Sequence, residues 1–172
     1  VVKQKTYTLG AVYKHFAGHN IYSLIGSTSY MDNRNVKYKG NIEEPENLSL
    51  KYRSGESEFK LRSENLFHLP FVHITAGGNL EYARYTNDTY QKLYTNTPVV
   101  QDYRTALGLM KWGLYATAVY ESYNERFTAS LGLRADANDY SNEMNNLINQ
   151  LSPRLSLSYR LYKDIYLNGN AG

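Results

Sequence analysis

The chain has 172 residues, 42% of them hydrophobic, with 19 basic and 16 acidic side chains that leave a net charge of +3 at pH 7. That length is enough for one domain, the interspersed charges form no basic stripe of the kind that binds nucleic acid, and the absence of cysteine excludes a disulfide framework, a thiolate metal site and a thiol nucleophile. A mean hydropathy of −0.58 and the lack of any long apolar run exclude helical membrane spans, but not a β-barrel, in which half of every spanning strand is polar.

Tyrosine is heavily used, 18 residues against 5 Phe and 1 Trp. A tyrosine ring suits a strand surface on which apolar matter meets water, as in the aromatic girdles of membrane barrels.

Period-two segments separated by clusters of Asn, Asp, Gly and Ser run the length of the chain and predict an all-β, antiparallel up-and-down meander. In chain order the strands are expected near Lys5 to Phe16, Asn20 to Met31, Asn47 to Arg53, Ser57 to Arg62, Phe71 to Tyr85, Arg104 to Glu121, Glu125 to Tyr140, Leu151 to Leu161 and Asp164 to Gly172. Between Asn142 and Leu151, Met144, Leu147, Ile148 and Leu151 fall at roughly helical spacing, which predicts a short helix or a loop touching the mouth of a barrel.

The alternation is cleanest between Phe127 and Leu161. Phe127, Ala129, Leu131, Leu133 and Ala135 oppose Thr128, Ser130, Arg134 and Asp136; Leu151, Leu155, Leu157, Tyr159 and Leu161 oppose Ser152, Arg154, Ser156, Ser158 and Arg160. One apolar and one charged face per strand is the pattern of a wall between lipid and a polar interior. From Trp112 to Tyr120 the even row is apolar or aromatic, a stretch of roughly 26 Å of strand, or about 20 Å of height at a tilt of about 40°, near the height of a barrel's apolar band.

Links alternate in length in the C-terminal half: Thr86 to Tyr103 is long, Glu121 to Arg126 short, Ser141 to Gln150 long and Tyr162 to Asp164 tight. Short turns on one side and long loops on the other are expected of a membrane meander, with the long loops extracellular. The N-terminal third does not close this parity if every segment spans, so one of its segments is kinked or does not span. The chain starts at Val1 without Met and ends at Gly172 inside an alternating run, and both ends are expected to be cuts.

Candidate chemistry is sparse. His15 and His19 stand four apart, but Gly18 between them and the strand context favour a turn over a metal pair. His68 and His73 flank Pro70 as interface or turn polarity, and Asp136-Ala137-Asn138-Asp139 opens like a calcium loop but has Tyr140 and Ser141 where a ligand and a glycine are needed. With no nucleophile elbow, phosphate loop or HExxH motif, neither a catalytic site, a metal site nor a cofactor is expected, and the protein is expected not to be an enzyme. Arg134, Asp136, Arg154 and Arg160 share the polar side, where they are expected to bind an anionic ligand or to form a charge network. Facing lipid, each arginine would cost about 2–4 kcal/mol at the bilayer midplane.

Lys111-Trp112-Gly113-Leu114-Tyr115-Ala116, the turn Tyr123-Asn124-Glu125-Arg126-Phe127, the strand Ser130-Leu131-Gly132-Leu133-Arg134-Ala135-Asp136, the strand Leu151-Ser152-Pro153-Arg154-Leu155-Ser156-Leu157-Ser158-Tyr159, and Gly77-Gly78-Asn79-Leu80-Glu81-Tyr82 together resemble the barrel of TonB-dependent outer-membrane receptors. The resemblance covers Phe71 to Gly172. It implies a partial β-barrel domain over residues 1–172, a segment of a transmembrane wall of about 22 strands, in the cell outer membrane of a Gram-negative host. It also implies a plug domain and C-terminal strands outside this chain, the TonB complex and outer-membrane lipid as partners, no nucleic acid, and import of a scarce ligand such as a metal chelate, vitamin, saccharide or peptide. Two other readings of the alternation stay open: a complete small outer-membrane barrel of about eight strands with an adhesin or structural role, and a soluble lipocalin-like binder.

Overall fold

The structure is a computed structural model that describes residues 1–93 and 99–172. Eight strands form one antiparallel sheet in sequence order, from β1 (Val2–Ala17), β2 (Asn20–Tyr38), β3 (Leu48–His68) and β4 (Val72–Leu93) to β5 (Val99–Glu121), β6 (Phe127–Asn138), β7 (Leu151–Tyr162) and β8 (Ile165–Ala171). The all-β, up-and-down expectation is met. Contacts divide the chain into two compact units, one of Val1–Gly10, Ser27–Phe59 and Tyr82–Leu109, the other of Ala11–Gly26, Lys60–Glu81 and Met110–Gly172.

Two expectations are corrected. Asn47 to Arg53 and Ser57 to Arg62 are not separate strands: β3 runs unbroken through Ser54-Gly55-Glu56, and this removes the parity conflict of the N-terminal third. That tripeptide has turn-like composition, yet Ser54 is 1% exposed, and the Thr86 hydroxyl donates to the Gly55 carbonyl at 3.3 Å. Cross-strand bonding thus holds the segment extended against its local preference. The long link expected from Thr86 to Tyr103 is likewise mostly strand, since β4 continues to Leu93 and β5 begins at Val99; its tip, residues 94–98, lies outside the described residues.

The tight connections have visible causes. Gly18 takes a φ of +62° between β1 and β2, a conformation that costs glycine nothing. Between β5 and β6 the Ser122 amide donates to the Phe127 carbonyl at 2.9 Å, the Ser122 hydroxyl accepts from the Phe127 amide at 3.0 Å, and the Asn124 side chain accepts from the Arg126 amide at 3.1 Å. Of the segment expected as a short helix or a loop before β7, Leu147–Gln150 forms one short 3-10 helix, where the Asn146 side chain accepts from the Ile148 amide at 3.0 Å.

Register carries the rows from strand to strand. Trp112 pairs with Ala137, Leu114 with Ala135, Ala116 with Leu133 and Ala118 with Leu131. Leu131 then pairs with Leu155, which in turn pairs with Ala171. Except where Leu131 meets Leu155, these pairs on the apolar face set a large residue against an alanine, so the rings and isobutyl groups interdigitate. On the other face Tyr115 meets Arg134, Thr117 meets Gly132, and Gly132 meets Arg154. A slip of one residue would exchange the faces.

Among the described residues the one buried apolar side chain is Ala137, at 3% exposure. Leu114, Leu131, Leu155 and Leu161 are all exposed, and every residue of β1 and of β8 is exposed. A sheet with so little core of its own needs an apolar medium against one face.

Candidate functional site: the polar face

The polar row of the unit containing Met110–Gly172 holds two charge clusters. In the first, Glu81 of β4 lies between Lys111 of β5, whose ammonium donates at 2.8 Å, and Lys60 of β3, at 3.9 Å. In the second, the Tyr115 hydroxyl donates to the Glu64 carboxylate at 2.5 Å and accepts from Arg62 Nε at 3.2 Å. Arg62 also pairs directly with Glu64, and its guanidinium carbon stands 5.4 Å from the centre of the Tyr115 ring. The tyrosine is thereby fixed by a donor, an acceptor and a cation on its ring.

Glycines make room for these groups. A Cβ on Gly77 would run into the Ser63 carbonyl and lie 2.7 Å from the Tyr115 hydroxyl. A Cβ on Gly113 would collide with the Asp136 carboxylate and lie 2.9 Å from the Asn79 side-chain amide oxygen. Both positions therefore need a bare backbone for the polar side chains to lie along the wall.

The four candidates from the sequence occupy one polar row but not one cluster. Arg134 and Asp136 are paired on β6 through Nε at 2.6 Å and Nη2 at 3.1 Å. Arg154 stands opposite Gly132 in the register and lines a shallow depression together with Arg134, Tyr115 and Thr117. Arg160 sits at the far end of β7, where its guanidinium donates to the Asn124 carbonyl at 3.4 Å. Sequence reasoning missed Arg62, Glu64, Glu81 and Tyr115 as site residues; the alternation in β3, β4 and β5 was the signal that could have brought them together on the polar side.

His68 and the calcium-like stretch have structural partners. His68 Nδ1 lies 2.6 Å from the His19 carbonyl and its ring meets His73 edge-on at 5.0 Å. Asp139 accepts from the Met110 amide at 2.8 Å, and Asn138 from the Tyr140 amide at 3.0 Å. On the apolar face, Leu147 from the 3-10 turn joins Leu24, Leu61, Leu80, Trp112 and Leu114 around a depression of about 470 Å³. Aromatic pairs mark the turn end of this face: Tyr22 meets Phe67 edge-on at 5.9 Å, and Tyr120 lies 6.4 Å from Phe127.

An up-and-down sheet whose register keeps an apolar row and a charged, glycine-notched row on opposite faces of β5 to β8 has the construction of a membrane β-barrel wall. The chain matches the family model "TonB dependent receptor-like, beta-barrel" over residues 2–172 and belongs to that family. Among solved structures it is similar to BauA, the ferric preacinetobactin receptor of Acinetobacter baumannii, with 14% identity and a TM-score of 0.54 over 98% of this chain. The chain spans about 30% of the length of that receptor. None of the curated proteins compared with it matches.

Proposed function

We propose that the intact protein lies in the outer membrane and actively imports a scarce ligand, and that this chain forms a stretch of its barrel wall. The reading rests on one observation above all: the register that carries an unbroken apolar row across β5 to β8 while keeping Arg134, Arg154 and the Tyr115 cluster on the opposite face. Lipid then covers the apolar row and the polar row faces the lumen. In this reading β1 and β8, which end the sheet order, pair with further strands of the intact barrel.

In this reading Arg134, Asp136, Arg154 and Arg160 are lumen residues that engage the wall, a plug domain or an anionic cargo. Energy reaches the cargo through the plug from the TonB complex of the inner membrane, with no catalysis by this chain. Candidate cargoes are a metal chelate, a vitamin, a saccharide or a peptide. A ferric chelate is the first to try, because that is the cargo class in the name of the structural neighbour.

The test is uptake by cells that make the full-length protein, against cells that lack it, for one labelled member of each cargo class with and without a protonophore. Protein-dependent, protonophore-sensitive uptake of one class is expected. Uptake of all four that is indifferent to the protein overturns the reading.

A further inference from the structure

Within the unit of Val1–Gly10, Ser27–Phe59 and Tyr82–Leu109, one face changes character along the strands. It carries exposed Leu9, Tyr30, Phe59 and Tyr82. A few residues further along the strands the same face bears charge. One depression is bordered by Tyr30, Asp32, Arg53, Thr86, Asp88 and Arg104, and a second, adjoining it at Asp32, by Lys3, Lys5 and Arg34. Within this unit Tyr30 and Asp32 are on one alternating row of β2, and Phe59 and Arg53 on one row of β3, so the charged patch prolongs the exposed apolar row of the same strands.

The patch is strongly basic. Lys3, Lys5, Arg34, Arg53 and Arg104 outnumber Asp32 and Asp88 by three, an excess as large as that of the whole chain. Asp32 organises it: one carboxylate oxygen accepts from Arg34 Nε at 2.8 Å and the other from Arg53 Nε at 3.1 Å. Each guanidinium has five N–H donors in a planar fork, so the bond through Nε leaves the terminal amino groups for a further acceptor. The side chains of Arg34 and Arg53 are 53% and 57% exposed, and that of Arg104, 3.1 Å from Asp88, is 82% exposed. Forks set apart on neighbouring strands, held by a shared carboxylate and lying just past a belt of tyrosines, match the oxygens of phosphate groups at the level where acyl chains give way to headgroups.

We propose that this patch is a docking site for the phosphorylated headgroup of a lipid packed against the outside of the barrel. The proposal rests on the reading of the apolar face as lipid-facing. Arg34, Arg53 and Arg104 hold the phosphate, Lys3 and Lys5 add charge at the rim, and Tyr30 and Tyr82 meet the upper part of the acyl chains.

The experiment is native mass spectrometry of the full-length protein in detergent with phosphatidic acid or phosphatidylcholine added as probe. For the unaltered protein, retention of phosphatidic acid should exceed that of phosphatidylcholine by about tenfold, the factor that 1.4 kcal/mol of charge-assisted contact gives. The triple variant Arg34→Ala, Arg53→Ala, Arg104→Ala should bring the two lipids level. Arg104→Glu, at an exposed position that does not endanger folding, should reduce the preference and decides the matter if the triple variant fails to fold. An unchanged preference in the folded variants overturns the proposal, and displacement of the lipid by millimolar inorganic phosphate would assign the patch to free phosphate instead. Quenching of a probe at Leu131 by brominated lipid, retained in these variants, separates a failure of this site from a failure of the lipid-facing reading.

Discussion

Gly77 of β4 lies directly against Tyr115 of β5: a Cβ at Gly77 would stand 2.7 Å from the tyrosine hydroxyl and 2.8 Å from its ring carbon Cζ, with the Ser63 carbonyl blocking the other direction. The Tyr115 hydroxyl is in turn bound to Glu64 and Arg62. Gly77→Ala should therefore push the ring away and break the bond to Glu64, destabilising the full-length protein by about 2 kcal/mol. Gly132→Ala, where the nearest atom would be 3.6 Å away, should change stability by less than about 0.5 kcal/mol. Urea unfolding in lipid vesicles compares the two, and equal costs would show that Gly77 is not the contact that matters.

Ala116 stands midway between Trp112 and Tyr120 on the apolar row of β5 and pairs with Leu133, whereas Val119 pairs with Ser130 on the polar row. If lipid covers the first row, Ala116→Arg should cost about 2–4 kcal/mol and Val119→Arg much less, although the second introduces the same charge. The readout is the yield of folded, heat-modifiable protein in the membrane. A larger loss for Val119→Arg would place the lumen on the other face.

Much of this was legible in the sequence because a strand's side-chain period is fixed at two. From Phe127 to Leu161 that period alone separated Leu131 and Leu155 from Arg134 and Arg154, and the register keeps those sets apart. What composition obscured was the continuity of β3 through Ser54-Gly55-Glu56 and the extension of β4 through Thr86-Asn87-Asp88. Both stretches are polar with turn-forming residues, and what holds them extended is pairing to neighbouring strands, a non-local term. The glycine notches carry little local signal: Gly132 lies beside Arg154 on the polar row. Gly77 and Gly113 matter more, but each accommodates a side chain from a different strand. The basic patch was invisible for the same reason, since Lys3, Arg34, Arg53 and Arg104 come from four strands.

The two carboxylates Glu81 and Asp136 are both paired with cations but differ in exposure, 20% against 50% for their side chains. Water screens the Arg134–Asp136 pair, so Asp136→Asn should cost less than about 1 kcal/mol. Glu81 lies between Lys60 and Lys111 with less water around it, and Glu81→Gln should cost about 1.5 kcal/mol by leaving two ammonium groups without their shared anion. Raising salt should widen the difference slightly, because an exposed pair is screened more than a shielded cluster. Unfolding midpoints at low and high salt check the order, and a greater loss at Asp136 would mean that its carboxylate has a partner outside this chain.

The chain contains no cysteine, so a probe introduced into it reports one address within these strands. Leu131 and Ser130 are neighbours on β6, pairing with Ala118 and Val119 respectively. Bimane attached to Leu131→Cys in the full-length protein should be quenched by lipids brominated along the acyl chain and be insensitive to iodide. Bimane at Ser130→Cys should show the reverse, because adjacent residues of a strand point to opposite faces. Quenching at both sites would mean that lipid reaches the polar row, which the charges of Arg134 and Arg154 make untenable. Quenching at neither would mean that protein, not lipid, covers the apolar row, and the outer-membrane reading would fall with it.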